Sequence, residues 1–238
     1  MIGTLLNVAA ILIGGTLGTL VGRRLPQRLS ETVLWGLALA LIAIGVSMFL
    51  ESQNALIVLG SIVLGGLLGE WINFDGLLKR LAVRVEARFA RSADAGSSAR
   101  FIKGFTLASL IYAVGPMAIL GSFQDGLTGN YQLLAVKALL DGVTAVAFAA
   151  SLGVGVLFSA AVILVYQGAL TLLAGYASLF LTTPMINEMT ATGGILMLGL
   201  SLGSLLELRP IRVANYLPAL VIAPLIVAGL HAFGVAGF

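Results

Sequence analysis

The chain has no cysteine, a single histidine and charged residues at only 10% of its positions. The first absence excludes disulfides, thiolate metal sites and thiol nucleophiles. His231 is placed near the outer end of the last apolar run, which argues against a histidine-based metal or catalytic centre. With 59% apolar residues and a mean hydropathy of +1.08, the chain lies far outside the soluble globular class, where charge runs near 25%. Short segments of alternating polarity, the mark of a membrane β-barrel, are missing as well. No basic stretch precedes the first apolar run and Arg23 and Arg24 follow it, so that run reads as a retained helix and not as a cleaved signal.

What is present is a series of apolar blocks, each long enough to cross roughly 30 Å of hydrocarbon as a helix. They fall at residues 2–22, 32–50, 55–72, 104–121, 132–150, 153–174, 190–206 and 216–233. The expected fold class is therefore all-α, a polytopic bundle of about eight spans, seven at the lower count, forming one integral membrane domain over 1–238. Twelve of the 13 Lys and Arg residues lie in three connections that this reading puts on one face: Arg23, Arg24 and Arg28; Lys79 to Lys103; Arg209 and Arg212. The positive-inside rule makes that face cytoplasmic and puts both termini on the other side. The opposite connections carry Glu51, Asp125 and Glu188. A pI near 9.5 thus reflects topology and not nucleic-acid binding.

The longest connection, within 73–103, mixes Leu77, Leu78, Leu81, Val83, Val85 and Phe89 with Lys79, Arg80, Arg84, Arg88 and Arg91. That pattern predicts an amphipathic helix on the inner leaflet, followed by a hinge over 92–98. Gly14 and Gly18, Gly65 and Gly69, and Gly199 and Gly203 form small-residue pairs at GxxxG spacing, which let helix backbones approach and make a homodimer a candidate assembly. Spans one to three and six to eight run in opposite senses, as an inverted repeat requires. Residues 15–22 match 168–175 at a few positions, which is thin sequence support.

Gly115 and Pro116 lie somewhat past mid-membrane and predict a broken fourth span, since proline removes a backbone donor and clashes with the Tyr112 carbonyl. In the fifth span, Lys137 and Asp141 occupy one helix face, with Asp141 about 16 Å deep at a rise of about 1.5 Å per residue. A carboxylate at that depth costs roughly 2.5–3.5 kcal/mol on insertion scales and needs a partner. Three arrangements satisfy the spacing: an ion pair, a Lys137 that reaches the outer headgroups, or a protonated Asp141 bonded to another helix. Ser122 and Asp125 near the outer surface, and Gln167 with Tyr166 and Ser159 in the sixth span, are candidates for the same polar cluster. Residues 176–189 form an unusually apolar connection, read as interfacial or as a re-entrant lid. Asn7, Asn215, Pro218 and Pro224 are polar or kinking positions without an assigned role.

The runs Gly115-Pro-Met-Ala-Ile-Leu-Gly-Ser122, Asp125-Gly126, Lys137-Ala-Leu-Leu-Asp-Gly142, Leu152-Gly-Val-Gly-Val156 and Tyr166-Gln-Gly168 resemble the YqgA/YdfK-type bacterial membrane proteins, domain-of-unknown-function family 554. The resemblance extends from Met1-Ile-Gly-Thr-Leu-Leu-Asn7 to Asn215-Tyr-Leu-Pro-Ala219. It implies a protein of the bacterial cytoplasmic membrane and names no substrate. From the residues themselves, three functions compete. The expected one is a transporter or channel for a small solute or ion, with Asp141 as its protonatable or cation-binding centre, Lys137 as counter-charge, and Ser122, Asp125 and Gln167 along the outer approach. The alternative is a non-transporting membrane assembly partner with a structural ion pair. An intramembrane enzyme ranks last, because only Asp141 with Lys137 or Asp125 could supply acid and base. No cofactor or metal is expected, and the partners are the bilayer and the solute.

Overall fold

In a computed structural model, which describes all residues except 23, 25, 91–94, 178–180 and 234–238, the chain is helical throughout, with no strand among the described residues. The helices are α1 (Ile2–Gly22), α2 (Gln27–Phe49), α3 (Ala55–Ile72), α4 (Phe74–Val85), α5 (Ala95–Ala113), α6 (Pro116–Thr128), α7 (Gln132–Leu152), α8 (Gly155–Leu172), the single turn α9 (Ala174–Ala177), α10 (Thr183–Leu200) and α11 (Ala219–Ala232). A π-helical turn, Glu86–Ala90, follows α4; another, Ser201–Leu205, extends α10; a 3-10 turn, Val213–Tyr216, leads into α11. Six of the described helical segments are long and apolar enough to cross a membrane, and the number is seven when the bent pair α5 and α6 is counted as one span.

The break between α5 and α6 lies at Val114 and Gly115, and the two helices meet at 61°. Pro116 opens α6, where its missing N–H is harmless, so the clash with Tyr112 is avoided by ending α5 at Ala113. Several boundaries differ from expectation. Helix α2 starts five residues before position 32, and α5 starts at Ala95, so 95–103 of the expected cytoplasmic loop is helical and continuous with 104–113. Of the predicted hinge, 92–94 lie outside the described residues and 95–98 are helical. Of the apolar connection 176–189, positions 178–180 lie outside the described residues and 183–189 are the opening turns of α10. Helix α10 falls short of the hydropathy of the other spans because Asn187 and Glu188 lie within it.

The chain divides into two compact units: Met1–Leu37, Leu78–Ala113 and Met117–Ala177 in the first, and Ala38–Leu77, Val114–Pro116 and Ser178–Phe238 in the second. In the first, α1 and α7 run parallel in the most extensive helix pairing of the chain. Gly14, Gly18 and Gly22 lie directly on the backbone of Gly142, Val146 and Ala150, and a Cβ at any of the three would collide with a carbonyl oxygen. Helix α8 runs antiparallel to α1 on its other side, with Thr4 opposite Thr171, Asn7 opposite Gln167 and Gly15 against Leu157. The amphipathic α4 does form; it folds onto this unit through Ala82, packed with Phe101 and Phe105, and Glu86 accepts a hydrogen bond of 2.7 Å from Ser98.

In the second unit α3 runs antiparallel to the chain around α11, with Gly65 on Ala219 and Gly69 on Asn215. Helix α10 runs antiparallel to the second half of α2: Ser201 donates to the Ala38 carbonyl at 2.7 Å, Gly194 lies on Gly45, and Glu188 reaches residues 52–54. Helix α10 therefore follows α2 over the whole of that half. The Gly199 and Gly203 pair faces Val213 and Ile211. All three glycine pairs thus lie against other parts of the same chain.

Candidate functional site

Helix α7 places a cation and an anion one turn apart. An aspartate side chain leans toward the N-terminus of its helix, so Asp141 points back at residue 137. The Lys137 ammonium sits on Asp141 Oδ2. Both residues are buried. Of the three arrangements that the spacing permits, the structure has the ion pair.

The pair has a partner on α1, and through it a link to α8. Asn7 on α1 donates from Nδ2 both to Asp141 Oδ2, at 2.9 Å, and to Gln167 Oε1 on α8, at 3.0 Å. Gln167 Nε2 donates to Thr4 Oγ1 at 3.4 Å. Thr171 gives its proton to the Gln167 carbonyl, at 2.9 Å, so in its 3.3 Å contact with Thr4 it accepts. These bonds fix the orientation of both amides, because a carboxylate can only accept. Asn7, Thr4 and Gln167 have no exposed surface. Two acceptors stay open: Asn7 Oδ1 has no partner among the described residues, and both bonds to Asp141 end on Oδ2. The Asp141 side chain keeps 13% of its surface accessible, so a water-sized probe still reaches it.

The close approach of α1 to α7 makes this possible. Gly14 and Gly142 bring the two backbones together, and Asn7, two turns nearer the start of α1, reaches across to Asp141. At that start Asp125 of α6 accepts from the Gly3 amide at 3.0 Å and lies 2.9 Å from the Met1 nitrogen. It occupies the helix N-terminus, where orphan amides and the dipole favour an anion. The polar groups of unit one therefore descend along α1 in order: Asp125, the Thr4 and Thr171 hydroxyls, Gln167, Asn7, then Asp141 with Lys137.

A second row lies on α5. Thr106, Ser109 and Tyr112 follow at three-residue spacing, and the buried hydroxyls of Thr106 and Ser109 have no hydrogen-bond partner among the described residues. Tyr112 approaches Thr144 and lies in the field of Asp141. Thr144 spends its own proton on the carbonyls of Leu140 and Asp141. Each such orphaned hydroxyl costs about 1–3 kcal/mol of desolvation, which singles out this stretch of α5.

The sequence-derived residues separate as follows. Lys137, Asp141 and Gln167 come together; Asp125 holds the end of α1 instead; Ser122 donates to the carbonyl of Ala118 in its own helix at 2.5 Å; Ser159 does the same to Val156 at 2.6 Å. Gly115 and Pro116 are the break itself. Asn7, Thr4, Thr171 and Tyr112 join the site without having been assigned to it. Their signal was polarity inside apolar runs, and only Asn7 was conspicuous. Glu188, expected in a surface connection, is buried instead, accepting from Ser52 Oγ at 2.8 Å and from the amides of Gln53 and Asn54 at 2.8 and 3.1 Å. Asn54 in turn caps α3. No cluster of three or more His, Asp or Glu side chains among the described residues is arranged to hold a metal.

Comparison with known proteins gives relatives of matching length. The model of the family described as "Protein of unknown function (DUF554)" matches residues 2–228. The "Uncharacterized membrane protein YdfK" of Bacillus subtilis is 29% identical over 98% of this chain and 99% of its own. The "Uncharacterized protein YqgA" of Escherichia coli is 31% identical over 94% of both chains. No solved structure matches.

Proposed function

The chain belongs to the DUF554 family of membrane proteins, and from the site its residues build we propose that it transports or conducts a small solute or ion through a site centred on Asp141. The observation that carries this reading is a buried carboxylate, paired within its own helix and bonded from α1, beside acceptors that have no partner among the described residues. Ion pairs kept only for structure are usually saturated with hydrogen bonds, because half-satisfied buried groups are costly. Here Asn7 Oδ1 stays open, and so do the hydroxyls on α5. In the proposed topology Asp125 and the start of α1 face the outside, and the connections rich in Lys and Arg face the cytoplasm of a bacterial inner membrane. The descending row from Asp125 then forms the outer approach, the α5 hydroxyls lead inward, and Thr106 is one turn from Lys103 at the inner face. No chemical step is assigned to the protein.

The test compares detergent-purified wild type with Asp141→Asn in thermal unfolding against a panel of ions and small metabolites between pH 5 and 9. A ligand that stabilises the wild type and leaves Asp141→Asn unmoved names the solute class. If no ligand or pH separates the two proteins, the alternative holds: a non-transporting assembly partner with a structural ion pair. Two cavities among the described residues, of about 580 and 330 Å³, are lined by residues other than Asp141.

A further inference from the structure

Resting on that reading, we propose that the solute is a monovalent cation and that it binds in exchange for the proton of Lys137, one ion for one proton.

The argument starts from charge. The site holds one carboxylate and one ammonium in contact, so its net charge is zero when empty. A metal cation entering beside both would leave an uncompensated positive charge in a buried setting, which is strongly unfavourable. A divalent ion would leave two, and no second carboxylate stands in the cluster to offset them. Neutrality survives if the arriving monovalent ion takes the carboxylate and the ammonium gives up its proton. Written out, the bound pair Asp141 carboxylate and Lys137 ammonium plus M⁺ becomes Asp141 carboxylate with M⁺, Lys137 amine and a released H⁺. Charge and atoms balance, and the site is neutral on both sides.

The oxygens fit that ion. Asp141 Oδ1 takes no bond among the described residues, and Asn7 Oδ1 is fully buried and has no partner. Both belong to side chains joined directly by the 2.9 Å bond from Asn7 Nδ2 to the other carboxylate oxygen, Asp141 Oδ2. Both are acceptors and suit a cation, whereas an anion would meet two oxygens that repel it. Around the pair, α1 brings no titratable side chain, α8 brings Tyr166, α5 brings Tyr112 with Arg100 and Lys103 toward its start, and α6 brings Asp125, which is held at the end of α1. Lys137 is therefore the cation in contact with Asp141, and it serves as a built-in competitor for the transported ion.

The experiment counts protons. Sodium, lithium or potassium chloride, against choline chloride, is added to weakly buffered, detergent-purified protein with a pH indicator present, while thermal stability reports binding. The expected result is close to one proton released per ion bound, with the apparent Kd falling up to tenfold per pH unit in the range where the exchange occurs. Lys137→Arg supplies the second arm, since a guanidinium keeps the ion pair and cannot surrender its proton. It should fold with an unchanged far-UV spectrum and lose cation binding by at least tenfold, whereas Lys137→Ala should bind. Stabilisation that depends on Asp141 but releases no proton, or persists in Lys137→Arg, overturns the exchange while leaving the transport site standing. If none of the three ions stabilises the wild type and another solute does, the cation class is wrong. If nothing does, transport itself fails.

Discussion

Substituting alanine for one glycine should destabilise this protein at three positions of α1 and stabilise it at one of α2. At Gly14, Gly18 and Gly22 an added Cβ would run into the carbonyl oxygens of Gly142, Val146 and Ala150, and a backbone cannot step aside as the end of a side chain can. At Gly36, within α2, an added Cβ has open space for 4 Å. Alanine gains about 0.5–1 kcal/mol over glycine inside a helix, and that gain is common to all four variants. Their difference therefore isolates the clash, which for overpacking is about 1–3 kcal/mol. Relative to Gly36→Ala, each of the three α1 variants should shift the unfolding equilibrium by about 5- to 150-fold toward the unfolded state. The measurement is reversible unfolding of the purified protein in mixed detergent and SDS micelles, followed by tryptophan fluorescence. Because α1 also carries Asn7, Gly14→Ala should weaken any response that depends on Asp141. Should Gly14→Ala and Gly18→Ala both prove as stable as Gly36→Ala, the direct backbone contact of α1 with α7 is refuted.

Glu188→Leu should cost about 3–5 kcal/mol, because it strips an acceptor from one hydroxyl and two amides; the same SDS titration reads it, and Glu188→Gln should lose less, since one amide oxygen can still accept. Arg212→Ala should change stability by under about 1 kcal/mol, its pair with Glu70 being more than half exposed. Asn215→Ala should cost more, by loss of the 2.7 Å bond from the Asp75 amide and the contact with Glu70. Asn7→Leu should leave the ion pair in place yet abolish ligand-dependent stabilisation, which separates the pair from the site in a thermal-shift assay.

The first and third spans, 2–22 and 55–72, have the boundaries that apolar length alone predicts, because each is bracketed by polar or turn residues. The helix break was legible for a local reason too: glycine followed by proline cannot continue a helix. The pairing of Lys137 with Asp141 needs only a four-residue spacing. What could not be read was which helix meets which. Residues 7 and 141 are separated by most of the chain, and a helix that is apolar all round carries no stripe to show which side faces protein and which faces lipid. Small residues mark a contact without naming the partner, so the glycines of α1 announced close packing and said nothing of α7. Glu188 was misassigned for a similar reason. An acid near a span end reads as surface charge until backbone amides from a distant part of the chain are found on it.

The parallel pairing of α1 with α7 sets a schedule for how the protein is made. Helix α1 is complete at Gly22, whereas its partner is complete only at Leu152. At a synthesis rate of about 5–20 residues per second, α1 waits roughly 6–26 s in the membrane with Asn7 and its glycine face uncovered. During that interval Asn7 lacks both Asp141 and Gln167, and in hydrocarbon an amide left alone seeks whatever donor or acceptor comes first. The first helix thus waits for partners made more than a hundred residues later, and assembly of unit one joins its earliest helix to two of its latest. Premature release or slow translation between α2 and α7 would leave α1 exposed to other chains.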